Sequence, residues 1–397
     1  MTRIRLPRPD GSLHDYTLQA PRNWHAGPNK RNRVAYAAAH VVADPFSCAD
    51  PWLQPAIDWD ATLAYRSHLW SLGFGVAEAM DTAQRGMGLD WPNSLELIDR
   101  SLSLARSTPG AVIACGAGTD HLEPRASTTL NDVIAAYELQ CEAIESRGGR
   151  IILMASRALA ACARSADDYV TVYNRILAQV REPVILHWLG DMFDPALAGY
   201  WGHADPEKAM EACLDVINGN VSKVDGIKIS LLDKDKEIAM RRRLPGAMAA
   251  ASDGARVRMY TGDDFNFAEL IAGDDHGHSD ALLGIFDPIA PVAAAALSAL
   301  AQGDRAGFDA MLAPTVPLSR HVFCAPTRFY KTGVVFIAWL NGHQDHFVMV
   351  GGQQSARNLM HLVDLFRLAD AAGIVADPER ACERMRTLLA IHGVSTA

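Results

Sequence analysis

The pattern of apolar and polar positions along the 397-residue chain changes character twice. Near the N-terminus two alternating segments, 3–6 and 13–18, flank Pro9-Asp10-Gly11. Proline and glycine supply the backbone angles of a tight turn, so this stretch predicts a β-hairpin. Residues 24–33 are polar and irregular and read as a connector. From residue 33 onward, short and nearly all-apolar segments rich in Val, Ile and Ala alternate with longer stretches of three-to-four periodicity. The short segments fall at 33–42, 75–82, 111–116, 150–156, 183–189, 224–230, 256–261 and 279–286. The periodic stretches between them include 59–72, 93–107, 130–146, 167–180 and 206–217.

Strands covered on both faces read as continuous apolar runs, and strand–helix alternation builds right-handed βαβ units. Eight such strands predict an α/β fold, a (β/α)8 TIM barrel. The alternative is a doubly wound open sheet, which is weakened by the lack of a GxGxxG turn after the first strand. From about residue 288 the pattern is helical, at 293–302, 306–314, 355–372 and 378–391, while 333–340 passes for a strand. The expected organisation is a hairpin and connector over 1–32, the barrel over 33–290, and a C-terminal helical extension over 291–397 packed on the barrel.

Composition narrows the partners. With 37 Lys+Arg against 46 Asp+Glu the net charge is −9, which disfavours nucleic acid and anionic membranes. The seven cysteines form no CxxC pair and read as reduced, buried thiols. The N-terminus has no apolar signal region, and the longest nearly uncharged apolar run, 289–301, contains Pro291 and is too short to span a bilayer. A cytoplasmic protein with a small-molecule substrate is expected.

Barrel active sites lie at the C-terminal ends of the strands. One cation stands out there. Lys228, in Val224-Asp225-Gly226-Ile227-Lys228-Ile229-Ser230, alternates with Ile227 and Ile229 and so faces the barrel interior. Desolvation lowers an ammonium pKa and makes the amine a nucleophile towards carbonyls. A structural lysine paired with Asp263 or Asp264 fits the same residues. His187, one strand earlier, suits proton transfer, or else a core histidine bonded to a carbonyl. The cluster Asp274-Asp275-His276-Gly277-His278-Ser279-Asp280 has metal-ligand chemistry but precedes a strand, which assigns it to a solvated loop at the opposite mouth. Asn341-Gly342-His343-Gln344-Asp345-His346 is a similar polar loop.

Over roughly 34–375 these segments resemble the dihydrodipicolinate synthase/N-acetylneuraminate lyase superfamily of class I aldolases, as a bacterial branch catalogued as a domain of unknown function. Gly226-Ile227-Lys228 is similar to its sixth strand with the Schiff-base lysine, and Pro183-Val184-Ile185-Leu186 to the strand before it. Gly116-Ala117-Gly118-Thr119 resembles its third-strand glycine turn, Thr261-Gly262-Asp263-Asp264 its seventh-strand end, and Gly303-Asp304 a later helix pair. Three segments depart from the family. Met80-Asp81-Thr82-Ala83-Gln84 stands where the family has Gly-Thr-Thr-Gly-Glu, which holds the pyruvate carboxylate. Met154-Ala155-Ser156-Arg157 replaces Tyr-Tyr-Asn, and His187-Trp188-Leu189-Gly190 replaces Tyr-Asn-x-Pro.

The resemblance implies a cofactor-independent Schiff-base lyase or hydro-lyase, a homodimer or homotetramer. The departures point to a sugar-derived oxo compound rather than to dihydrodipicolinate synthesis. Lys228 is the expected nucleophile, and His187 with Ser156 the proton shuttle. Asp81, Thr82, Gly116, Trp188, Ser230, Asp263 and Asp264 are the expected substrate-binding residues. Two alternatives remain open. One is a metal-dependent barrel sugar isomerase or aldolase using His187, Asp81, Asp263 or the 274–280 cluster. The other is a catalytically silent sugar-binding homologue.

Overall fold

The computed structural model describes residues 2–25, 31–125, 127–246 and 256–395. The N-terminal hairpin pairs β1 (Arg3–Pro7) with β2 (Leu13–Thr17) antiparallel. Gly11, at φ +82°, takes the left-handed angle that closes the turn, and Asp10 accepts the Ser12 amide across it. The middle of the connector expected over 24–33, residues 26–30, lies outside the described residues.

The eight expected strands form a closed, all-parallel barrel. They are β3 (Ala35–Ala38), β4 (Gly75–Glu78), β5 (Ile113–Ala117), β6 (Arg150–Leu153), β7 (Val184–Leu189), β8 (Val224–Ser230), β9 (Arg258–Thr261) and β10 (Asp280–Leu283). They run in sequence order around the ring, β10 closing on β3. The doubly wound alternative, an open sheet, is thereby excluded. Every residue of β4 and β7 is buried, as strands covered on both faces require. The interior is packed by Tyr36, Ala77, Ala114, Ile152, Ile185, Tyr260 and Leu282 from seven strands. The eighth, β8, contributes Gly226, where an added Cβ would come 2.6 Å from the Tyr260 ring, so the tyrosine fills the space glycine leaves.

By contacts the chain divides into two compact units. One, Arg33–Ala39 with Phe74–Gly284, holds all eight barrel strands. The other comprises Met1–Asn32, His40–Gly73 and Ile285–Ala397. Within this second unit the hairpin is tied to the helix Leu359–Ala371, because Tyr16 donates its hydroxyl to Asp370 at 2.7 Å and Gln19 its amide at 3.0 Å. The stretch 333–340, which passes for a strand in sequence, is the end of a helix, Tyr330–Leu340. All eleven residues of that helix are buried, so no polar face marks a helical period.

The second unit also encloses a polar cluster. His40 Nδ1 lies 2.8 Å from Asp287 Oδ2, the His40 amide donates to the same oxygen at 2.8 Å, and the Tyr65 hydroxyl donates to Oδ1 at 3.0 Å. The buried Arg66 guanidinium caps the His40 carbonyl. His343 lies edge-on against Tyr65, and burial pushes it down to about 4.

Candidate active site

Parallel register fixes which side chains share the barrel interior. His187 of β7 pairs with Lys228 of β8, and Lys228 with Tyr260 of β9. In-register residues on neighbouring parallel strands point the same way. Tyr260 is an interior residue, and so is Ile185, two positions before His187. Lys228 and His187 therefore stand side by side inside the barrel, towards the C-terminal ends of the strands. They are 7% and 1% exposed.

Burial lowers the Lys228 pKa, opposed by the carboxylates of Asp264 and Asp81. Burial, and then the neighbouring Lys228, hold His187 far below its ordinary value, so this imidazole is neutral. Its Nε2 lies 3.3 Å from Ser230 Oγ. Gly262 is required beside them, since a Cβ there would meet Ile229 O at 2.6 Å and Lys228 Cε at 2.8 Å. The structure thus brings together Lys228, His187, Ser230, Asp81 and Asp264.

A cleft opens next to this group, with Asp81, Arg85, Gly118, Thr119, Asp120, Met154, Arg157, His187 and Asp194 among its walls. Two arginines line it, and both are matched. Arg85 donates Nε to Asp120 Oδ2 at 3.1 Å and one terminal nitrogen to Oδ1 at 2.6 Å, and it also reaches the Gln140 side chain and Gly116 O. Arg157 pairs with Asp194. Asp81 is a third carboxylate on this wall, set at the strand-to-turn corner after β4.

The other expected site residues divide. Ser156 is buried behind the cleft wall, where its Oγ accepts the Leu159 amide at 2.9 Å and lies 2.6 Å from Thr119 Oγ1. Gly116 lets β5 approach Ala79, as an added Cβ would sit 2.8 Å from the Ala79 carbonyl. Thr82 is buried in the same corner as Asp81. Asp263 spends both oxygens locally, accepting the amides of Phe265 and Asn266 and the Asn266 side chain, and burial raises its pKa. Trp188, alternating with His187, faces out of the barrel and meets Trp201 edge-on at 6.2 Å. Sequence reasoning missed Arg85, Thr119 and Tyr200. The Tyr200 hydroxyl accepts the Ser156 amide at 2.9 Å and is 2.9 Å from the Tyr173 hydroxyl.

The 274–280 segment is held by ion pairs. Asp274 binds Arg241 and Arg242, while Asp280, at the start of β10, accepts the Val34 amide. Among the described residues no group of three or more His, Cys, Asp or Glu is arranged to hold a metal ion, and no helix is long and apolar enough to cross a membrane.

The family model described as "Protein of unknown function (DUF993)" matches residues 4–394. The chain belongs to this family. No curated protein matches its sequence. Solved structures match its fold. The prophage protein YagE from E. coli K12, of the dihydrodipicolinic acid synthase family and solved with pyruvate, is 14% identical at a TM-score of 0.62, covering 92% of this chain and 99% of that one. Dihydrodipicolinate synthase from Thermotoga maritima is 12% identical at 0.62, covering 86% and 99%. The 4-hydroxy-tetrahydrodipicolinate synthase of Methylacidiphilum fumariolicum SolV is 14% identical at 0.61, covering 88% and 99%. The DUF993 chain thus shares its fold with these dihydrodipicolinate synthase structures.

Proposed function

We propose that this DUF993 protein is a Schiff-base lyase or hydro-lyase acting on a neutral, polyhydroxylated, sugar-derived oxo compound. The observation that carries this reading is Lys228, an amine inside the barrel whose protonated form burial disfavours. The neutral amine adds to the substrate carbonyl, the carbinolamine loses water, and the resulting iminium accepts the electron pair of the adjacent bond as it breaks. His187, neutral and adjacent, takes the proton released in that step. Substrate class follows from charge. Arg85 and Arg157 are each matched by an aspartate, leaving Asp81 as excess negative charge on the cleft wall. Such a wall accepts hydroxyl donors and repels a carboxylate substrate.

The test is reductive trapping. Dihydroxyacetone or glyceraldehyde with cyanoborohydride is expected to add mass to the peptide carrying Lys228. A substrate turned over with no adduct on Lys228 would sink the reading.

A further inference from the structure

We infer that Thr119 is the hydrogen-bond donor to the oxygen on the reacting carbon, and that Ser156 is the positioning residue that turns the Thr119 hydrogen into the cleft. The inference rests on the Schiff-base reading and deepens it.

The two hydroxyls are 2.6 Å apart, and distance alone leaves the donor open. Donor accounting settles the direction. Ser156 Oγ already accepts the Leu159 amide, and its backbone amide is spent on the Tyr200 hydroxyl. Among the described residues, the protein acceptor within reach of the Ser156 hydroxyl hydrogen is Thr119 Oγ1. A buried hydroxyl uses the acceptor it has. Ser156 therefore donates to Thr119, and the Thr119 hydrogen is left for the cleft that this residue lines. Ser156 does not itself line that cleft.

The loop carrying Thr119 is held on both sides. The Gly118 amide donates to Gln140 Oε1 at 2.7 Å, and Asp120 is clamped by Arg85. A donor fixed before the substrate arrives needs no reorganisation when charge develops on the oxygen. No proton leaves Thr119. As Lys228 nitrogen bonds to the carbonyl carbon, the C=O π bond breaks onto oxygen, and the proton that oxygen gains comes from the attacking amine. Thr119 only stabilises the oxygen during that transfer.

The experiment measures the rate of Lys228 trapping by dihydroxyacetone and cyanoborohydride across pH. Thr119→Val is expected to slow trapping about tenfold without moving the pH midpoint, the size expected for losing one oriented donor. Thr119→Ser, which keeps the hydroxyl, should stay within about threefold of wild type. Ser156→Ala should slow trapping by about threefold to tenfold, and Ser156→Thr should restore it. Trapping at the wild-type rate in Thr119→Val overturns the inference, and so does equal slowing in Thr119→Val and Thr119→Ser. Equal slowing in Ser156→Ala and Ser156→Thr overturns the positioning role. If wild-type protein gives no Lys228 adduct, the Schiff-base reading itself fails and takes this inference with it.

Discussion

Two buried histidines, one in each unit, show how the same side chain is used in opposite ways. His40 is clasped by Asp287, which takes both its ring nitrogen and its backbone amide, and Tyr65 binds the same carboxylate. An anion beside an imidazole fixes its tautomer and orientation, so this cluster is a rigid knot. Among the described residues, no carboxylate is hydrogen-bonded to the His187 ring. Its hydrogen-bond partner is the Ser230 hydroxyl at 3.3 Å, and its charged neighbour is Lys228. Burial disfavours the protonated form of both groups, and Lys228 disfavours that of His187 further. Such an arrangement costs stability and gains reactivity, which is the usual exchange at a catalytic site.

The largest expected difference between the two regions is at Lys228. Lys228→Met is expected to abolish trapping by any oxo compound while leaving the fold intact. It should raise stability by about 1 kcal/mol, because a desolvated ammonium gives way to an apolar side chain of similar length. Asp287→Ala should do the reverse, costing about 3 kcal/mol by leaving buried donors unanswered while trapping at Lys228 continues. Denaturant titration and adduct mass spectrometry on the same samples read both quantities. If Lys228→Met destabilised the protein as much as Asp287→Ala does, Lys228 would be structural.

The two regions also differed in how readily the sequence disclosed them. The barrel was legible because its strands are buried on both faces, Lys228 followed from alternation along β8, and His187 from its place at the end of the strand before it. Alternation along β7 puts Trp188 on the outer face, against Trp201. Trp188 is at the strand end by position, but its face takes it away from the site. Thr119 was visible only as the tail of a glycine turn, because its role depends on Ser156, 37 positions away. Arg85 and Tyr200 lie in irregular segments where no period assigns a direction. The His40–Asp287 pair spans 247 positions, and no local pattern announces it. The helix Tyr330–Leu340 was hidden for a related reason, since burial on every side erases periodicity.

A smaller difference between the regions is electrostatic. Burial lowers the Lys228 pKa, while Asp264 and Asp81 raise it. Attack on a carbonyl needs the neutral amine, so trapping should rise with pH with its midpoint below the 10.5 of an ordinary lysine. Removing a carboxylate that favours the ammonium shifts that rise to lower pH. Asp264→Asn is therefore expected to move the midpoint down, and Asp81→Asn to move it in the same direction by less. Asp287→Asn should leave it where it was, since Asp287 is not among the charges acting on Lys228. Stability should show the complementary trend at lower pH. The folded pKa values of His187 and His343 lie below the 6.5 of the unfolded chain, so the unfolded state binds more protons as pH falls through 6.5. Stability is thus full above that value and declines towards pH 4, where His343 itself titrates. Thermal melts between pH 7 and pH 4 should show this decline begin near 6.5 in wild type and weaken in His343→Asn. A decline that begins only in the carboxylate range would mean that neither histidine is held neutral by its burial.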